Sequence, residues 1–196
     1  WQQLTPAVSP PARLGAAMTW DASQQALVLF GGWGDAGLLD DTWRFDGVQW
    51  QPVTPTLAPS PRWNASLVQE PRSGRLWLYG GEDFTGTLTD LWTWDGTDWE
   101  FAEQVPLPAE DTHSRLAWLP GVEELVVVDG GKPGGNVEVW RIGPSGWQAI
   151  GADRSPMALE NFEVVGHALP PQLLLVGGHA AGEPGTSGVS MALFYV

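Results

Sequence analysis

Arg13, Arg62 and, less closely aligned, Arg115 stand at related points of a repeating pattern, in a chain with only nine Lys and Arg among 196 residues. A guanidinium is a rigid fork of donors that pairs bidentately with a carboxylate. Two uses follow. The three can bond carbonyls or acids of a neighbouring structural unit and hold the fold together. Alternatively, they can ring a channel mouth and take a carboxylate or acidic peptide. Trp63 and Asn64 follow Arg62 where Leu14 and Gly15 follow Arg13, so they are candidates to line the same mouth. Trp33, Asp83 and Phe84 fall just after two Gly-Gly pairs, on expected loops where an aromatic has little core to join. There an aromatic either anchors a ligand, as in protein interfaces, or packs locally.

The other reactive groups are sparse. There are three histidines, His113, His167 and His179, and a metal needs at least two ligands that converge. His113 lies near Glu110 and Asp111, and Glu163 and His167 are four apart, but the imidazoles come from different repeats. His113 and His179 stay as ligand-contact candidates, and no transition metal is expected. Calcium prefers clustered oxygens, which Asp40-Asp41 or Glu82-Asp83 would offer, though neither has EF-hand spacing. No other cofactor is expected. Zero Cys removes disulfides, thiolate metal sites and a Cys nucleophile, and leaves secreted and cytoplasmic homes both compatible. A Ser-His-Asp triad stays open, but no Gly-x-Ser-x-Gly elbow is present. Acids are too plentiful for a paired-carboxylate glycosidase to be picked out.

Composition narrows the partners. Asp and Glu outnumber Lys and Arg 23 to 9, giving a net charge of −14. Nucleic-acid binders need clustered cations, so that class is excluded, as is docking on anionic lipid. No apolar run approaches a membrane span, so no membrane insertion is expected. Hydrophobic residues at 43% suffice for a core. The chain opens on Trp1 rather than Met, as a processed or excised piece would.

The elements that must position these residues repeat. Gly31-Gly32, Gly80-Gly81, Gly130-Gly131 and Gly177-Gly178 each follow a short apolar run such as Leu27-Val28-Leu29-Phe30. After the first three pairs comes a Trp (Trp43, Trp92, Trp140), and seven residues later another (Trp50, Trp99, Trp147). Residues 1–49 laid over 50–98 without a gap share 17 identities. The runs are too short for helices and are punctuated by Gly, so they read as strands. Asp46-Gly47 and Asp95-Gly96 mark hairpin turns, because the turn needs positive φ. Asp41 and Asp90 read as turn or strand-end residues. Strands are expected near 13–20, 26–31, 41–46 and 48–53, with Pro-rich connectors such as 52–61 between units. Four strands per unit of about 50 residues is a propeller blade, in which each twisted sheet covers its neighbour's face. The framework Trp residues then pack between blades. The expected fold is all-β: a single domain over 1–196, with units at about 1–49, 50–98, 99–146 and 147–196.

The apolar run, Gly-Gly, spaced aromatic and Trp resemble the kelch repeat in all four units, over essentially the whole chain. The fourth unit departs, with Met191-Ala192-Leu193-Phe194-Tyr195 in place of Asp-x-Trp and no Arg at the position of Arg13. It also stops after a third strand. Trp1–Leu4 aligns with the fourth-strand segments at Trp50 and Trp147, so the N-terminal strand is expected to close the last blade. A piece of a larger propeller is the rival. The resemblance implies a non-catalytic binding module that takes a protein or peptide partner on the face bearing the post-Gly-Gly loops and connectors. A carbohydrate-binding or carbohydrate-processing propeller is the first alternative, and a structural or engineered repeat scaffold the second. Some kelch-like propellers are copper oxidases with a Tyr–Cys crosslink, which is chemistry this chain lacks the Cys to perform.

Overall fold

The computed structural model describes residues 3–105, 114–130, 137–143, 146–150, 159–168, 172–180 and 191–195. Every helix or strand among them is a β-strand, so the described chain is all-β and built of antiparallel sheets. It forms two compact units, Trp1–Gln104 and Val105–Val196.

The first unit holds two sheets. The first sheet comprises β1 (Arg13–Leu14), β2 (Ala17–Asp21), β3 (Ala26–Gly34), β4 (Gly37–Phe45) and β5 (Trp50–Val53). Strands β2, β3, β4 and β5 are successive antiparallel neighbours, and β1 pairs the far end of β3. The second sheet repeats this with β6 (Ser66–Gln69), β7 (Leu76–Tyr79), β10 (Asp90–Trp94) and β11 (Trp99–Gln104). Between β7 and β10 lies a small hairpin of β8 (Glu82–Asp83) and β9 (Gly86–Thr87).

The turns follow from short acids. The Asp46 carboxylate accepts the Val48 and Gln49 N–H groups, both at 2.9 Å, and Gly47 supplies φ +96°. Asp95 does the same for Thr97 and Asp98, with Gly96 at φ +105°. These Asx turns offer the chain a reversal that any alternative would have to match. Asp21 and Glu70, at equivalent repeat positions, cap the β2–β3 and β6–β7 turns at the same end of each sheet.

The period of two in β3 buries Ala26, Val28 and Phe30 on one face, with Leu27 and Leu29 on the other. Ala17, Val28 and Phe30 pack against Leu67, Leu76, Leu78, Trp94 and Trp99 of the second sheet. Each Val, Leu or Phe side chain among them contributes about 1.5–3 kcal/mol when fully buried. Trp99 meets Phe30 edge-on at 5.2 Å, and its indole N–H donates to Thr42 Oγ1 at 2.9 Å. Gly31 and Gly32 let the second sheet's chain approach. Arg62 N–H donates to Leu39 O, Gly32 N–H donates to Arg62 O at 2.8 Å, and a Cβ at Gly31 would lie 2.7 Å from that oxygen. Met18, Leu27 and Leu29, the repeat equivalents of the buried Leu67, Leu76 and Leu78, lie on the opposite face of the first sheet, where Met18 is 53% exposed.

The second unit has the same plan. One sheet is β12 (Arg115–Leu119), β13 (Glu124–Asp129), β14 (Glu138–Gly143) and β15 (Gly146–Ile150), in that order. The other is β16 (Leu159–His167), β17 (Gln172–Ala180) and β18 (Met191–Tyr195). Strand β12 runs beside β16, as β2 runs beside β6 in the first unit. Ala117, Val126, Val128 and Val139 pack on Phe162, Leu173 and Leu175. Val165 and Val176, on the other face of that sheet, are exposed.

Two expectations need correction. The strand expected over 13–20 is broken at Gly15 and Ala16 into β1 and β2, because Gly15 takes φ +60°. The segment after Gly31-Gly32 is not a loop. Trp33 and Gly34 continue β3, Gly37 begins β4, and only Asp35 and Ala36 turn. The last sheet has three strands among the described residues, and Gln3 and Leu4 pair with none. Trp1 lies outside the described residues.

Candidate binding site

The two aligned arginines are built into the sheets. Arg62 is 1% exposed and uses all five of its donors. Nη1 donates to Asp90 Oδ1 at 2.6 Å and Gly80 O at 2.9 Å, Nη2 to Asp90 Oδ2 at 2.7 Å and Ser60 Oγ at 3.0 Å, and Nε to Ser60 O at 3.0 Å. Arg13 makes the same fork onto Asp41, with Gly31 O and Pro11 O as its carbonyls. Pro11 stands where the second repeat has Ser60, so the hydroxyl acceptor is missing there. Each Asp also accepts an indole N–H two residues on, Trp43 at 2.6 Å and Trp92 at 2.7 Å. Burial pushes both carboxyls up, but the bonds and charge of the arginines, with the indole donors, outweigh it. Asp41 and Asp90 are held below the ordinary carboxylate range.

Arg13 and Arg62 therefore tie strands of their own sheets together, rather than reaching a neighbouring sheet or facing a channel. It is the main chain of Arg62 that reaches across. Asp41, inside β4, and Asp90, at the start of β10 as a strand-end residue, are their partners, and this partnership went unread in the sequence. The signal was there: Arg and Asp recur 28 residues apart in both repeats. In the third repeat Glu138 still accepts the Trp140 indole at 3.1 Å, while Arg115 lies 3.9 Å from Glu163 of the next sheet.

The aromatic candidates converge. Trp33 meets Trp63 at 6.0 Å between ring centroids, with planes at 69°, and Phe84 at 5.5 Å and 72°. The register explains it. Leu14 pairs Trp33 across β1 and β3, and at the equivalent place Trp63 bridges to Glu82. Phe84 tops the β8–β9 hairpin, whose turn Asp83 fixes by accepting the Thr85 N–H and hydroxyl at 2.7 and 2.6 Å. These bonds, the Thr85 hydroxyl first, hold the Asp83 carboxyl below its ordinary range. Phe84 is 77% exposed and Trp33 41%. Beside Trp33 an open depression of about 360 Å³ is lined by Ala12, Arg13, Leu14, Trp33, Gly34 and Asp35. Leu14, which is exposed, and Asp35 join the site without having been singled out in the sequence.

The remaining candidates do not join this cluster. His113 lies outside the described residues. His179 pairs Glu160 through the backbone of β17 and β16, and its side chain is outside them too. Among the described residues no three His, Asp or Glu side chains gather to hold a metal ion. At the proposed calcium positions, Asp41 gives both oxygens to Arg13 and Asp83 is engaged by Thr85. No helix among the described residues is long and apolar enough to cross a membrane. No protein-family model matches the chain, and no curated protein matches it either.

Proposed function

We propose that the chain is a kelch-like β-propeller of four blades that serves as a binding module for a polypeptide partner. The fold reading draws support from the four-fold sequence repeat and from the meander sheets stacked face to face within each unit. The functional reading rests on one observation above all, the cluster of exposed Trp33 and Phe84 with half-buried Trp63 at the Gly-Gly end of the first unit. Large aromatics that are exposed, clustered and rigidly mounted are typical anchors of protein interfaces. Their positions differ between repeats: Glu82 stands at the place of Trp33, Leu14 at that of Trp63 and Asp35 at that of Phe84. Packing positions such as Asp41/Asp90 and Trp43/Trp92 recur instead. The rings stand nearly perpendicular, which makes a corner for a side chain rather than the flat shelf that a sugar ring stacks on.

The test is to pan a random-peptide phage library with the whole chain, beside a glycan array, using Phe84→Ala as the control. Peptides that bind the chain and not Phe84→Ala, at unchanged melting temperature, are the expected result. Binding confined to glycans would replace this reading with the carbohydrate alternative.

A further inference from the structure

We propose that the corner formed by Trp33 and Phe84 receives a positively charged side chain, Lys or Arg, of the partner polypeptide; this rests on the polypeptide-binding reading above. Two aromatic walls meet there at 72°, one of them a Trp. The negative face of an aromatic ring attracts an ammonium or guanidinium within about 6 Å of its centroid, and Trp does so best.

The charges around the corner point the same way. The two cations built into this end of the unit are matched by acids: Arg62 by Asp90 and Arg13 by Asp41. Asp35 lines the depression beside Trp33, Glu82 is the cross-strand partner of Trp63, and Asp83 directly precedes Phe84. These three acids are neighbours of the aromatic residues in the depression, in register and in sequence, with Asp83 also accepting from Thr85. A neutral apolar partner would strip water from them with nothing in return, and an acidic partner would meet like charge. A side chain with an apolar stem and a cationic head satisfies both the rings and the acids. The net charge of −14 steers such a partner toward the chain over longer range.

The experiment begins from the peptides enriched on the whole chain and lost on Phe84→Ala. They are expected to share a Lys or Arg. In synthetic copies, replacing that Lys by norleucine, or that Arg by citrulline, is expected to weaken binding about tenfold, between the exposed and the desolvated ends of the cation–π range. Raising salt from about 0.05 to about 0.5 M is expected to weaken binding as well, because the Debye length shrinks. Enriched peptides without a shared cation, or equal binding by the neutral copies, would overturn this inference and leave the polypeptide reading standing. If no peptide prefers the chain over Phe84→Ala, both fall together.

Discussion

Arg62 and Arg13 hold the same fork in two degrees of burial, and the difference is measurable. The Arg62 guanidinium is fully enclosed and Asp90 keeps 16% of its side chain exposed, whereas Asp41 keeps 36%. Removing one partner of a buried pair strands the other charge and costs about 3–5 kcal/mol. Arg62→Ala should lose about that much in urea unfolding, and Arg13→Ala clearly less, because water can solvate Asp41. The pair also sets an acid limit. The folded Asp90 pKa lies below its unfolded value, so its contribution is full above the unfolded value of about 4 and vanishes as pH falls through the folded one. Unfolding free energy should therefore fall as pH drops below about 4, and Asp90→Asn, though less stable at neutral pH, should show a shallower drop. At this scale the Trp33, Trp63 and Phe84 candidates were legible because they break the repeat. The role of the arginines was half legible. Recurrence marks a framework position, but it cannot say whether the acid that answers the arginine lies in the same sheet or the next one.

Strands and turns were the most legible elements, because Asp-Gly and the short apolar runs act locally. The extended β3–β4 hairpin was not. Trp33-Gly34-Asp35-Ala36-Gly37 is rich in turn residues, and pairing on both sides, with Arg13 and Leu14 of β1 and with Gly37 and Leu38 of β4, keeps it in a sheet. The Gly-Gly pairs separate two reasons for glycine. At Gly81, with φ +86°, a Cβ would lie 2.5 Å from Trp63 O and 2.9 Å from Ala65 N, both backbone atoms that cannot swing away. Gly37, at φ +114°, has nothing within 4 Å of that position. Gly37→Ala should therefore cost only backbone strain, about 1–3 kcal/mol. Gly81→Ala adds a clash that must push β8 and the Trp63 segment apart. Its melting temperature should fall further, and the Trp33–Trp63–Phe84 cluster should loosen, visible as a change in Trp fluorescence. Equal melting temperatures for the two variants would refute the close-approach account. Thr42→Val isolates another element-level contact. It leaves the Trp99 indole N–H buried without an acceptor between the two sheets, for about 1–3 kcal/mol.

For the whole molecule, the decisive surface is the outer face of the first sheet. Met18, Leu27 and Leu29 repeat as Leu67, Leu76 and Leu78, which are buried because the preceding sheet covers them. Phe162, Leu173 and Leu175 are buried in the same manner in the second unit. Within each unit, then, a sheet presents this face to the sheet before it. The proposed ring would extend the rule to the first sheet and cover its Met18 face as well. Met18→Asp tests the proposal. Under a cover, the substitution loses an apolar side chain and buries an unpartnered carboxylate, so stability should fall by at least about 2 kcal/mol. On a face open to water, a surface change stays within about 0.5 kcal/mol. Sedimentation equilibrium then identifies the cover. A monomer that Met18→Asp destabilises fits a ring closed within one chain, whereas a dimer that the same substitution dissociates fits two chains capping each other. A monomer indifferent to Met18→Asp would end the ring proposal, while leaving the sheets and the aromatic corner of the first unit where they are.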